Sequence, residues 1–171
     1  PMMVRLLYAS RATAVSPETI DAILAQSRTR NPTQGITGIL CHGGDVFMQV
    51  LEGGRDAVNR LYGSIVRDSR HHDVTLLHFE EIAERRFSGW TMGVVNLTRV
   101  NPSIGLKYSA RPVLDPFTVP GRASMAMLEE LMAIPNCPVS AQRPTMEKVM
   151  VAASRNLEGT PTVICGTRYG N

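Results

Sequence analysis

The run from Val46 to Gly53 leaves this chain few choices of fold. Val46, Met48 and Val50 alternate with Phe47, Gln49 and Leu51, the period of a strand whose two faces are both largely apolar. Just before it, His42-Gly43-Gly44-Asp45 joins it to a second apolar run at 36–41. Glycines that tolerate positive φ in so short a connection predict a tight hairpin. The hairpin is expected inside a core, and it carries one polar side chain there, Gln49. A buried amide without partners costs about 1–3 kcal/mol. The plain reading of an isolated core glutamine is therefore one satisfied by neighbouring backbone. An amide also offers two donors and an acceptor, and exchanges them by turning over.

The flanking segments organise around this hairpin. Residues 3–9 read as a short apolar strand ending near Tyr8. Ser16-Pro17-Glu18 then supplies an N-cap, a proline at the first helical position and an early acid. Ile20, Ile23, Leu24 and Ser27 continue that helix to about Arg28. Asn31 precedes Pro32, which predicts extended backbone there. Gly53-Gly54-Arg55-Asp56 opens a second helix, with Val58, Leu61, Tyr62 and Ile65 at helical spacing. Residues 74–82 and about 89–96 read as two further strands, so Trp90 and Met92 are expected to share a strand face. The order β-α-β-β-α-β-β predicts an α+β sheet with both helices on one face.

These segments, taken in order, resemble the BLUF family, flavin-adenine-dinucleotide-binding sensors of blue light. The matching residues are Tyr8 with Ser10, Asn31, the Ile36-Thr37-Gly38 triplet, and Gln49 within Phe47-Met48-Gln49-Val50-Leu51-Glu52-Gly53. Asp68-x-Arg70-His71 and Trp90-x-Met92 complete the set. The resemblance spans roughly residues 3 to 95. It implies a ferredoxin-like sheet with the isoalloxazine ring of FAD held noncovalently between the two helices. It implies that Tyr8, hydrogen-bonded to Gln49, gives an electron and a proton to the excited flavin, after which the Gln49 hydrogen bonds rearrange. Asn31 would bind the carbonyl edge of the ring with Arg30 on the same rim. Asp68, Arg70 and His71 would touch the ring and ribityl chain, and Ile36 and Ile65 would wall it. Trp90 and Met92 would relay the signal along the last strand. No catalytic residue is implied, and the output would pass to a separate protein partner.

Composition sets limits on the alternatives. A net charge of +3 without a Lys/Arg cluster does not point to nucleic acid. No apolar run approaches 20 residues and no signal peptide is recognisable, so neither a membrane span nor export is expected. Cys41, Cys137 and Cys165 are few and scattered, which suits reduced thiols in the cytoplasm better than disulfides or zinc. No phosphate-binding glycine loop or hydrolytic nucleophile motif occurs. Two other functions remain open from the residues alone: a flavin- or thiol-dependent oxidoreductase, and a regulatory domain that senses a small molecule without flavin. Homo-oligomer formation is also left open.

From Asn96 onward prolines divide the chain. Two domains are expected, a photosensor at 1–96 and a Pro-rich extension at 97–171. Helices are expected at 122–133 and 145–156, each with a methionine-rich apolar stripe that packs on the sheet or docks a partner.

Overall fold

The computed structural model describes residues 1–12 and 15–134. The helix expected at 145–156, with Cys137 and Cys165, lies outside them. In chain order the elements are β1 (Met3–Arg11), α1 (Pro17–Arg30), a 3-10 turn (Pro32–Gln34), β2 (Thr37–Gly43), β3 (Val46–Gly54) and α2 (Arg55–Val66). β4 (His72–Ile82), β5 (Gly93–Asn96), α3 (Pro102–Tyr108) and α4 (Gly121–Ala133) follow. The strands form one sheet in the order β4-β1-β3-β2-β5. Neighbours pair antiparallel except β2 and β5, which run parallel. This is the expected α+β, ferredoxin-like sheet extended by a fifth strand.

Local chemistry explains the expected elements. The Ser16 side chain accepts from the Thr19 N–H at 3.1 Å, with Pro17 opening α1 as expected of a capped helix start. The hairpin turns at Gly44, whose φ of 58° suits a residue without a Cβ. β3 is buried along almost its whole length because both faces of the sheet are covered.

On one face, Val4, Leu6 and Tyr8 of β1 and Phe47 and Leu51 of β3 pack under Ile20 and Leu24 of α1 and Val58 of α2. On the other, Leu7, Ile39, Cys41, Met48 and Val50 pack against α3 and α4 through Ile104, Met125, Leu128 and Leu131. α4 lies close on β4: a Cβ at Gly121 would fall 2.0 Å from the Leu77 carbonyl oxygen. Residues 97–134 therefore share a core with the sheet.

Three local expectations are corrected. β5 begins at Gly93, so Trp90 is not in a strand and does not share a face with Met92. Residues 83–92 instead cross from the β4 edge to the β5 edge. Trp90 packs on the α4 side of the sheet, whereas Met92 is buried on the α1–α2 side. Asn31 has helical backbone, φ −61° and ψ −41°, despite preceding Pro32. There it closes α1 through its own N–H to the Ser27 carbonyl at 2.8 Å, and its carbonyl takes the N–H of Ile36 at 2.9 Å. These bonds outweigh the steric preference of a residue before proline. The third is α3, which the prolines of this region concealed: Asn101 caps it and Pro102 is its first residue.

Candidate functional site

α1 and α2 lie side by side on one sheet face and leave a cavity of about 280 Å³ between them. Leu40, Phe47, Gln49 and Tyr8 form its floor; Ile23, Leu61 and Ile65 are among its helical walls. Arg30, Arg60, Arg70, Gln26 and Gln34 stand around it, with Asp68 the only acid among the described residues that line it. This is the shape of a small-molecule site, apolar with a few placed polar groups.

Its centre is a cross-strand pair. Tyr8 on β1 lies directly opposite Gln49 on β3, and Leu40 of β2 lies beside Gln49 on its other side. The Tyr8 hydroxyl donates to Gln49 Oε1 at 2.6 Å, and Gln49 Nε2 donates to Met92 Sδ at 3.3 Å. Both residues are buried. Burial, helped by Tyr62 and then Asp68, pushes the Tyr8 phenol well above its ordinary range. Tyr8 therefore stays protonated at any physiological pH and serves as a donor to the amide. The Tyr62 ring stands 5.7 Å away, and His71 approaches Tyr8 edge-on at 6.5 Å.

Asn31 presents the opposite situation. It is only 2 % exposed, it lines the cavity, and its Nδ2 has no hydrogen-bond partner among the described residues. A buried donor left alone carries a desolvation penalty that a bound acceptor would relieve.

The rim is held by local pairs. Arg70 Nε donates to both Asp68 oxygens at 2.9 and 3.0 Å, and this hydrogen bonding holds the Asp68 carboxyl below its usual range. His71 bridges β1 to the end of α2, with Nδ1 2.7 Å from Ser10 Oγ and Nε2 2.6 Å from the Ile65 carbonyl. A carbonyl only accepts, so Nε2 carries the proton, and in the neutral ring Ser10 donates to Nδ1. Both ring nitrogens are thus taken by protein, leaving His71 to act through its ring and position.

Of the residues singled out in the sequence, Tyr8, Arg30, Asn31, Gln49, Ile65, Asp68, Arg70 and His71 line one cavity. Met92 lies behind Gln49. Two are placed elsewhere. Ile36 is buried in the core and does not line the cavity, and Trp90 packs on the far side of the sheet. Arg60, Leu61 and Ser64 were missed. Their signal was the spacing of Arg60 with Ser64 and of Leu61 with Ile65, four apart on one helical face.

Residues 3–93 match the family model described as BLUF, sensors of blue-light using FAD. Photoactivated adenylate cyclase subunit beta of Euglena gracilis is 44% identical over 89 residues, which are 51% of this chain and 10% of that protein. The blue light- and temperature-regulated antirepressor BluF of Escherichia coli is 31% identical over 97 residues, 56% of this chain and 24% of that one. This chain thus spans about a tenth of the cyclase and about a quarter of the antirepressor. Among solved structures, the dark state of BlrB, a BLUF protein, superposes with a TM-score of 0.65 at 32% identity, covering 77% of this chain and 96% of that one. With more than half of its residues in the matched region, this chain belongs to the BLUF family of blue-light sensors.

Proposed function

We propose that this protein is a non-enzymatic photoreceptor that holds FAD noncovalently between α1 and α2 and signals through a rearranged hydrogen bond. The observation that carries the reading is the buried chain Tyr8–Gln49–Met92 at the floor of a cavity that also contains the unpartnered Asn31 amide. Asn31 would satisfy its Nδ2 on a ring carbonyl, and Ile23, Leu61 and Ile65 would pack the ring. Asp68 and Arg70 would take the ribityl hydroxyls, while Arg30 and Arg60 suit the phosphates. When bound, flavin supplies absorption of blue light and an excited state able to accept an electron.

Tyr8 is the electron and proton donor of this reading and takes both back before the lasting state is reached, and Gln49 is the group whose bonds reverse. In the arrangement observed, Oε1 accepts the hydrogen bond of the tyrosine hydroxyl and Nε2 faces a thioether. Turning the amide over sets Nε2 against the tyrosine oxygen, which can accept. It also sets Oε1 against the Met92 sulfur, which has no proton to give. The turned state loses its bond to Met92, and Met92 stands immediately before β5. A signal requires such a pair of arrangements with light biasing one of them. Residues 97–171 then act as the extension that hands the change to a separate protein in the cytoplasm, with no role for nucleic acid. Among the described residues no helix is long and apolar enough to cross a membrane.

The test is spectroscopic. The purified chain should be yellow and release FAD on denaturation, and blue light should shift its absorption modestly to longer wavelength with recovery in the dark. A colourless protein that does not take up FAD, or a bleached spectrum as the lasting product of light, would contradict the reading.

A further inference from the structure

We infer that Glu52 is a positioning residue of the light response: it anchors the crossover loop so that the Met92 thioether stays against the Gln49 amide. The inference rests on the photoreceptor reading above. Because β4 and β5 occupy opposite edges, residues 83–92 must cross β1, β3 and β2 before Met92 reaches the cavity side. Most of the crossover is exposed, but it is buried at Phe87 and Met92, and with no sheet ladder the backbone where it dips in needs other partners.

One row of side chains supplies them. Glu80, Arg5, Glu52 and Thr37 lie side by side on β4, β1, β3 and β2. Glu52 is fully buried and Arg5 nearly so. Arg5 Nε donates to Glu52 Oε1 at 2.7 Å, and Arg5 also bonds Glu80. The same carboxylate accepts two consecutive loop N–H groups, Arg86 on Oε1 at 3.1 Å and Phe87 on Oε2 at 2.9 Å. Arg85 adds bonds to Thr37 Oγ1 at 2.9 Å, the Glu52 carbonyl at 3.1 Å and the Gly35 carbonyl at 2.6 Å. The Trp90 carbonyl then takes the Gly38 N–H at 2.9 Å, two residues before Met92.

A buried ion pair is weak as a source of stability, and an apolar pair of similar volume often does as well. Hydrocarbon cannot, however, accept two backbone N–H groups. Glu52 lies three residues from Gln49 on the same strand, pointing to the opposite face. One strand therefore carries both the amide that changes and the anchor of the loop that brings Met92 to it.

The experiment compares the full wild-type chain with Glu52→Gln and Arg85→Ala. Glutamine keeps the shape but turns an N–H₂ toward donors, so an Arg86 or Phe87 N–H, or Arg5, loses its acceptor. Arg85→Ala frees the same loop at a less buried site and carries the test if Glu52→Gln does not fold. Amide exchange at Arg86 and Phe87 in the dark should speed up, with flavin content unchanged. Dark recovery should change about fivefold or more, and the light-induced shift should change in size. Leu114→Ala, which empties a core position on the same sheet face, should recover at the wild-type rate. The inference is overturned if recovery and shift are wild-type once the Arg86 and Phe87 amides exchange freely. It is also overturned if Leu114→Ala at equal loss of Tm alters recovery as much, or if Glu52→Gln folds but loses flavin. Failure of the photoreceptor reading itself is told apart because the wild type would then show no light-induced shift.

Discussion

The two faces of the sheet handle buried polar groups in opposite ways. On the α3–α4 face, the Glu52 carboxylate is saturated by Arg5 and two backbone N–H groups, and no solvent reaches it. On the α1–α2 face, the Asn31 amide is just as buried, yet its Nδ2 has no partner among the described residues and it borders open space. The Gln49 amide lies between these extremes, satisfied by one strong donor and one weak acceptor, a thioether. A saturated polar group fixes structure, an unsatisfied one awaits a ligand, and one held by unequal partners can switch. The same sheet builds all three within one domain.

The largest effect expected from this contrast is all-or-none. Tyr8→Phe and Gln49→Leu should both remain yellow and lose the light-induced shift, because each removes one end of the hydrogen bond and leaves the cavity walls intact. A normal photocycle in either variant, read by absorption before and after blue light, would take that residue out of the switch.

Next in size is stability. Glu52→Ala strands the buried Arg5 guanidinium and two backbone N–H groups, and should destabilise the fold by about 3 kcal/mol in urea unfolding. Asn31→Ala sharpens the comparison from the other face. Its Nδ2 makes no bond to lose, so the flavin-free protein should keep its stability to within about 0.5 kcal/mol. Flavin binding should nevertheless weaken by roughly 5- to 30-fold, the equivalent of about 1–2 kcal/mol for one lost hydrogen bond. If Asn31→Ala unfolds the protein as readily as Glu52→Ala, the two faces do not differ as described.

The smallest effect concerns pH. Arg70 holds the folded Asp68 carboxyl below its ordinary value of 3.8. The ionised form therefore favours the folded state above that value, and the benefit is lost as pH falls through the lower folded value. The pair is partly exposed, so the contribution is a few tenths of a kcal/mol. Asp68→Asn should lower stability by that amount at neutral pH, and the difference from the wild type should vanish as pH falls below about 4, which flattens the acid limb of the stability–pH profile.

Much of this arrangement was legible in the sequence where the signals are local. The hairpin around Gly44, the Ser16 cap with Pro17, and the apolar stripes of α2 and α4 each lie within a dozen residues of their own cause. What sequence reading missed depends on distant partners. The Trp90-x-Met92 spacing looked like one strand face, but the crossover between opposite sheet edges sends the two residues to opposite sides. Asn31 was expected to be extended, yet its bonds to Ser27 and Ile36 hold it helical. Ile36 shows the same limit, since an isoleucine gives no local sign of whether it faces a cavity or the core. Arg5 and Glu52 became partners only through the register of β1 against β3, which neither segment encodes alone.

The central claim is that the Gln49 amide changes its partners under light while Tyr8 and Met92 stay beside it. Light-minus-dark infrared spectroscopy of protein carrying isotope-labelled glutamine tests this most directly. The claim predicts a label-sensitive side-chain carbonyl band that shifts on illumination, reverses in the dark with the flavin absorption, and is absent from Gln49→Leu. A flavin shift in the wild type with no label-sensitive carbonyl change, or with the same band persisting in Gln49→Leu, would contradict it.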